Sequence, residues 1–390
     1  MSKSVSLLKK IKGKCNEIVN FYYARQYRCF VPNINMSSVG KQNRVLLSYS
    51  PCTLQFSFNK NELVHSNAAE ITELLHLLIK RDCCVDVIDC RCTNVELYIN
   101  GREYDYIIGF GKPFEVGHRL NPKAKTVFIL TEGLPSFVKK KSAERYDYYK
   151  TRHGKIYKIG IERDARLFSD NYLKFSQFII RMADTKLGLS DCVEYTISPT
   201  GLINMGYKWR TKDFDNARFH FVWFGSSGAI HKGLDILIDV FSCIPKCHLH
   251  VFGLNNKELF LLKGCSSNIH NEGKVKVNTV QYVEKVIDKC AFVILPSCSE
   301  AMSTGVVTNM LHGIIPIVSK ECQFPDFPFG IQLLDYKCEY ILGIIEKIIK
   351  KNSLELEMMS KNTYSYARDN YTLEKYNNKM NKILDDIISK

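Results

Sequence analysis

Two short stretches in the second half of the chain combine small residues, one lysine and one glutamate in a way that suits phosphate and sugar chemistry. The first is Gly225-Ser226-Ser227-Gly228-Ala229-Ile230-His231-Lys232-Gly233. The second is Pro296-Ser297-Cys298-Ser299-Glu300-Ala301-Met302-Ser303-Thr304-Gly305-Val306. Each follows an apolar run of strand length and opens a helical pattern. Small side chains let a backbone approach a phosphate closely, and the unpaired N–H groups that start a helix point toward one. On this reading Gly225, Ser226, Ser227 and Lys232 face a diphosphate, and the Lys232 ammonium supplies a full positive charge. Gly305 permits the same close approach at the second helix start, with Ser303, Thr304, Val306 and Thr308 beside it as further candidates, while Glu300 accepts hydrogen bonds from sugar hydroxyls. Taken singly, Lys232 reads as well as a solvated lysine and Glu300 as a turn cap. The first loop matches neither GxGxxG nor GxxxxGK[ST]. It is the occurrence of both stretches, about seventy residues apart in one αβ segment, that carries the reading.

Parallel strands covered by helices are needed to aim such loops. In the second half, Phe219–Phe224, His248–Phe252, Phe292–Leu295 and Ile315–Val318 read as strands. Leu234–Phe241, Val280–Asp288 and the segment from Gly305 to His312 read as helices, and the chain is helical from Tyr340 onward. The first half has the same alternation. Arg44–Tyr49, Val85–Asp89, Tyr106–Phe110, Thr126–Leu130 and Val193–Ile197 read as strands. His65–Lys80, capped by Ser66 or Asn67 with Glu70 near the capping-box position, reads as a helix, as do Lys139–Arg152 and Phe168–Met182. Continuously apolar strands separated by helices imply doubly wound parallel sheets. The expected architecture is α/β, with two Rossmann-like domains facing a cleft. Residues 1–210 form the first domain and 211–371 the second, and a terminal helix near 372–390 packs back on the first. His65 and Glu132 lie at strand or helix ends facing that cleft. Each is a candidate to touch an acceptor or deprotonate it; a structural histidine and a capping glutamate are the plainer alternatives.

A chain of 390 residues with 24% charged side chains is an ordinary globular profile with room for two cores. No apolar run approaches the roughly 18 residues of a membrane span, and the basic N-terminus lacks a signal-peptide core, so a cytoplasmic location is expected. The fifteen cysteines include no CxxC pair and read as reduced thiols. The net charge of +14 falls almost wholly on residues 1–210. Apolar residues at helical spacing in Ser4–Phe21, beside Lys9, Lys10, Lys12 and Lys14, fit either a helix on an anionic membrane surface or one packed on its own domain. Nucleic acid is not an expected partner, because no helix-turn-helix, zinc finger or RNP signature accompanies the charge. The one DxD-like triplet, Asp213-Phe214-Asp215, falls between the domains and reads as surface.

The stretches FVWFGSSGAIHKGLDIL (221–237) and AFVILPSCSEAMSTGVVTNMLHGIIPIVS (291–319) resemble the retaining GT-B glycosyltransferases called glycosyl transferases group 1. HSNAAE (65–70), VDVID (85–89) and YDYIIGFG (104–111) look like the acceptor domain of a bacterial surface-glycan branch of that family. The resemblance implies transfer of a sugar from a nucleoside diphosphate to a glycan or lipid-linked acceptor, with retention and with neither cofactor nor metal. It assigns Lys232 to the donor diphosphate and Glu300 to the donor sugar. Two positions depart from the pattern. Ser226 stands where the family has an arginine, and Thr308 stands where it has a second glutamate that holds the ribose.

Overall fold

The computed structural model describes residues 29–37, 42–49, 66–154 and 167–389. The N-terminal helix reading and His65 lie outside them. Among the described residues the strands form two sheets. The first contains β1 (Phe30–Ile34), β2 (Arg44–Tyr49), β3 (Cys84–Asp89), β4 (Tyr106–Gly109), β5 (Lys125–Leu130), β6 (Phe178–Met182) and β7 (Val193–Ile197), in the order β1-β3-β2-β4-β5-β6-β7. The second contains β8 (His220–Phe224), β9 (His248–Phe252), β10 (Ile269–Gly273), β11 (Phe292–Leu295), β12 (Ile315–Ser319) and β13 (Ile331–Leu333), in the order β10-β9-β8-β11-β12-β13. All neighbours are parallel except β1, which runs antiparallel to β3. The longer helices are α1 (Ser66–Lys80), α2 (Lys112–Leu120), α3 (Pro135–His153), α4 (Leu234–Ser242), α5 (Thr304–Met310), α6 (Cys338–Ile348), α7 (Ser353–Asn370) and α8 (Leu373–Ser389). The expected doubly wound architecture is present, with one apolar core about each sheet.

Strand order locates the ligand-binding edges. Each sheet reverses direction once, at β2 and β4 in the first and at β8 and β11 in the second. In open parallel sheets ligands bind outside the carboxyl ends of the strands at that reversal. The loops 225–233 and 296–305 leave the carboxyl ends of β8 and β11, so both open at the reversal of the second sheet.

The segment 168–182, expected to be one helix, is corrected. Ser169 caps a single tight turn, Asp170–Lys174, and Phe178–Met182 then continues as β6, pairing Val127 with Phe178. Two isoleucines within that strand fill a fully buried sheet position, and this outweighs the helical spacing. The edge strands β1, β10 and β13 were not visible as apolar runs. β1 carries Pro32 and the positive-φ Asn33, whose N–H donates to Asp86 Oδ1 at 2.7 Å. Such features are tolerated at an edge.

The chain crosses between the sheets near Thr200 and returns near Tyr371, and the two crossings touch through the Gly201 N–H donating to Tyr371 O at 3.1 Å. Helix α8 packs on α1 and β7. Glu70, expected in a capping box, instead accepts from Thr200 N at 2.6 Å and Thr200 Oγ1 at 3.0 Å. Burial pushes its carboxyl up from 4.5 to about 7, against the opposing pull of the Thr200 bonds. A raised folded value means that the contribution is fully present below pH 4.5 and is lost as pH rises through about 7. Glutamine keeps an oxygen for both Thr200 donors and cannot ionise. Relative to wild type, Glu70→Gln should therefore gain about 3 kcal/mol at pH 8 over its standing at pH 4.5. Urea unfolding at the two pH values measures this, and an equal difference at both would show that Glu70 does not carry the effect.

Candidate functional site

Lys232 and Glu300 meet at the second reversal point. The Lys232 ammonium lies 4.0 Å from Glu300 Oε1 and donates to Ser226 Oγ at 3.3 Å. Ser297 Oγ donates to the same carboxylate oxygen at 3.4 Å. Lys232 is 5% and Glu300 3% exposed, so neither is the solvated surface group that its residue type alone would suggest. Buried charges persist only when paired and hydrogen-bonded. A cation and a carboxylate side by side at the mouth of a parallel sheet can hold an anionic leaving group and a sugar hydroxyl at the same time.

The backbone around Glu300 is tightly determined. Its N–H donates to Glu321 O at 3.0 Å, and its carbonyl accepts from Gln323 Nε2 at 2.7 Å. Arg181 of β6 donates to Gln323 Oε1, so the first sheet braces this loop. Met302 holds a positive φ of 43°, a conformation that costs a non-glycine residue energy, and it is fixed by its N–H donating to Cys322 O at 3.1 Å. Ala301 packs into the core of the first domain.

Other partners were not visible in the sequence. Glu258, from the turn after β9, accepts from the Gly228 and Ala229 N–H groups at 3.0 and 2.9 Å and sets the shape of the first loop. His231 bonds Ser299 O through Nε2 at 2.6 Å, and its Nδ1 meets Ser142 Oγ at 3.1 Å and Cys298 Sγ at 3.2 Å. Burial pushes the Cys298 thiol up to about 11, so it stays protonated beside the histidine.

The remaining candidates are distributed as follows. Ser226 and Ser227 are exposed at the loop tip, and Gly225 is half-buried behind them. Gly225 leaves room for the Trp223 ring, whose carbon would lie 2.2 Å from an added Cβ. Ser303, Thr304 and Gly305 are half-buried at the start of α5, and Val306 is buried. An added Cβ on Gly305 would lie 2.5 Å from Phe224 O, so this helix start and the end of β8 approach as closely as a glycine permits. Thr308 turns its hydroxyl to the domain crossing, accepting from Leu202 N at 3.1 Å. Glu132 follows β5 on the first sheet. The adjacent Gly133 sits so close to the second loop that an added Cβ would lie 2.7 Å from Ser299 Oγ. Burial first, then the charges of Glu70, Cys90 and Glu132, push the Tyr49 phenol up. Asp213 of the DxD-like triplet caps the short helix Phe214–Ala217, accepting from Asp215 N and Asn216 N. The described cysteines are free thiols, most of them buried, with Cys243 exposed.

No family model matches the sequence, and no curated protein matches it. Solved structures do match by shape. The HepE protein of Anabaena, solved with UDP-glucose, aligns with a TM-score of 0.55 at 15% identity over 89% of this chain and 100% of that one. The sucrose-phosphate synthase of Thermosynechococcus elongatus aligns with a TM-score of 0.58 at 11% identity over 90% of this chain and 100% of that one. A GtfA/B complex aligns with a TM-score of 0.50 at 14% identity over 83% of this chain and 61% of that one. At these identities the likeness establishes the fold, which is that of the GT-B glycosyltransferases. Among the described residues no helix is long and apolar enough to cross a membrane.

Proposed function

We propose that the protein is a glycosyltransferase that moves a sugar from a nucleoside diphosphate to an acceptor hydroxyl, with retention and without need of a metal ion. Residues 1–210 bind the acceptor and 211–371 the donor. The observation that carries this reading is the buried Lys232–Glu300 pair at the reversal point of the second sheet. Lys232 neutralises the departing diphosphate, with the exposed hydroxyls of Ser226 and Ser227 as further donors. Glu300 holds the donor sugar and stabilises the positive charge that develops at its anomeric carbon. Fixed charges aimed at developing charge in a site shielded from water are the largest single source of rate enhancement in many enzymes. The solved HepE structure holds UDP-glucose, so UDP is the first nucleotide to test on this chain. The acceptor is a lipid-linked or surface-glycan precursor. The excess of basic residues in the first 210 positions supports an acceptor presented at an anionic inner membrane face.

A thermal-shift screen across nucleoside diphosphates tests the donor site, because a ligand that binds only the folded state raises the melting temperature. Lys232→Ala should weaken binding of the responding diphosphate about tenfold or more, since a charge-assisted contact contributes roughly 1.5–3 kcal/mol. Lys232→Arg serves as the charge-preserving control. Unchanged calorimetric binding in the alanine variant would remove Lys232 from the site.

A second reading is favoured by two positions: a GT-B-shaped protein that binds a glycan or nucleotide without turnover. Ser226 supplies no charge where the family has an arginine, and the Thr308 hydroxyl already accepts from Leu202 N. Donor hydrolysis separates the two, because a binding protein raises its melting temperature with the nucleotide yet releases no free sugar from the donor.

A further inference from the structure

Helix α3 follows the first sheet just after Glu132, yet Ser142 and Arg145 of its buried face meet the second domain. Arg145, 1% exposed, is the centre of that contact. Its Nη2 donates to Pro296 O at 2.8 Å and its Nη1 to Ile230 O at 3.5 Å. One guanidinium thus ties the carbonyls of both loops, two residues before Lys232 in one and four before Glu300 in the other. The central carbon of that guanidinium lies over the Tyr336 ring, 5.0 Å from its centroid. Gly233 has room for nothing larger, because an added Cβ would lie 2.7 Å from Arg145 Nη1 and 2.5 Å from Pro296 O.

The rest of α3 continues the same seam. One turn earlier, Ser142 meets His231, the neighbour of Lys232. Further along, the Tyr148 hydroxyl accepts from Cys338 N at 3.0 Å, and Arg152 pairs with Asp235 and Asp239 of α4. Burial raises Asp235, and the charges of Arg145 and Arg152 oppose that rise. A planar fork of donors can satisfy two diverging carbonyls at once, whereas the ammonium of lysine is a point charge on a flexible stem.

We propose that Arg145 is a positioning residue of the donor site: delivered by a helix of the other domain, it sets the spacing of the two loops that carry Lys232 and Glu300. Its buried charge also adds to the positive field at the loops where Ser226 brings none. Because the arginine belongs to the acceptor-side domain of the same chain, the approach of the two domains and the geometry of the donor loops become one event. This inference rests on the donor-site reading for its effect on ligands. The structural part stands apart from it.

The test compares the full-length wild type with Arg145→Met and Arg145→Lys by amide hydrogen exchange without ligand, followed by UDP titration. Arg145→Met should speed exchange about tenfold or more in both 225–233 and 296–305, leaving the strands β8, β9, β11 and β12 at wild-type rates. Arg145→Lys should restore one loop and leave the other fast, since one ammonium does not span both carbonyls. UDP affinity should fall about tenfold in the methionine variant, with lysine intermediate. Unchanged exchange in either loop of Arg145→Met overturns the proposal, and so does equally fast exchange in the β8–β12 strands, which marks a general loss of stability. If that variant does not fold, Arg145→Lys decides alone, and wild-type exchange in both of its loops overturns the proposal. A wild type that binds no nucleoside diphosphate refutes the donor reading while the exchange comparison still judges the positioning role.

Discussion

Glu300→Gln should fold as the wild type does and lose about 10²- to 10³-fold in turnover, with donor affinity changed far less. The substitution preserves size and leaves an oxygen to accept from Ser297 Oγ. The backbone ties of residue 300 to Glu321 and Gln323 do not involve its side chain and survive. What is deleted is the negative charge beside a carbon that becomes cationic during transfer. Removing one preorganised electrostatic contact of this kind costs about 2.7–4 kcal/mol of transition-state stabilisation, which sets the expected loss. The neighbouring Lys232 loses its carboxylate partner at 4.0 Å but keeps Ser226 at 3.3 Å, so some loss of melting temperature is also expected. Single-turnover kinetics with the responding donor, beside calorimetric binding of its nucleoside diphosphate, separates the two effects. If turnover stays at the wild-type level, Glu300 is a structural cap and the chemistry lies elsewhere in the cleft.

The parts of this site that were legible in the sequence are those whose pattern is local. Lys232 and Glu300 each stand a few residues beyond an apolar strand and just before a helix, and that adjacency survives folding because the strand end fixes where the loop begins. Central strands such as Val45–Leu47 and Phe292–Leu295 are buried on both faces and therefore read as unbroken apolar runs. The edges were opaque for the converse reason. β10 is Ile-His-Asn-Glu-Gly, and a strand paired on one side only has no need of a continuous apolar sequence. Arg145 was illegible for another reason: its partner Pro296 lies 151 residues away, and on α3 it looks like one more charge in a polar helix. Glu258 and Gln323 are the same case. Each is an ordinary polar residue whose role is set by a backbone group brought to it by the tertiary fold.

Acidification should destabilise the protein between pH 6.5 and about 4, and three buried or half-buried histidines of the second sheet and its helices account for it. His312 is 0% exposed and its tautomer is fixed by its partners. The Asn204 N–H donates to Nε2 at 3.0 Å, so the proton sits on Nδ1 and is donated to Thr308 O at 2.7 Å. Protonating Nε2 would break the Asn204 bond at the domain crossing. His220 and His250 belong to a stack with His248 and His270 across β8, β9 and β10, with ring centroids 4.7–5.3 Å apart. The His220 Nδ1 and His250 Nε2 atoms are 2.9 Å apart, and His250 Nδ1 lies 2.9 Å from Glu272 Oε1. Burial holds each of these three imidazoles down at about 4, with neighbouring histidines adding to the effect at His220 and Glu272 opposing it at His250. A depressed folded value means that the stability is present above the unfolded value of 6.5 and is lost as pH falls toward 4. His312 and His250 each contribute up to about 3 kcal/mol over that window, and the part-exposed His220 less because water screens it. Glu70 works in the opposite sense, regaining stability as pH falls from about 7 to 4.5. The two effects should nearly cancel close to neutrality, and the histidine loss should dominate below about pH 6.5. Urea midpoints across pH 7.5, 6, 5 and 4.5 would trace this shape, and His312→Gln should flatten the acid limb. A midpoint that stays level from pH 7.5 to 4.5, in both proteins, would mean that these imidazoles already accept protons in the folded chain.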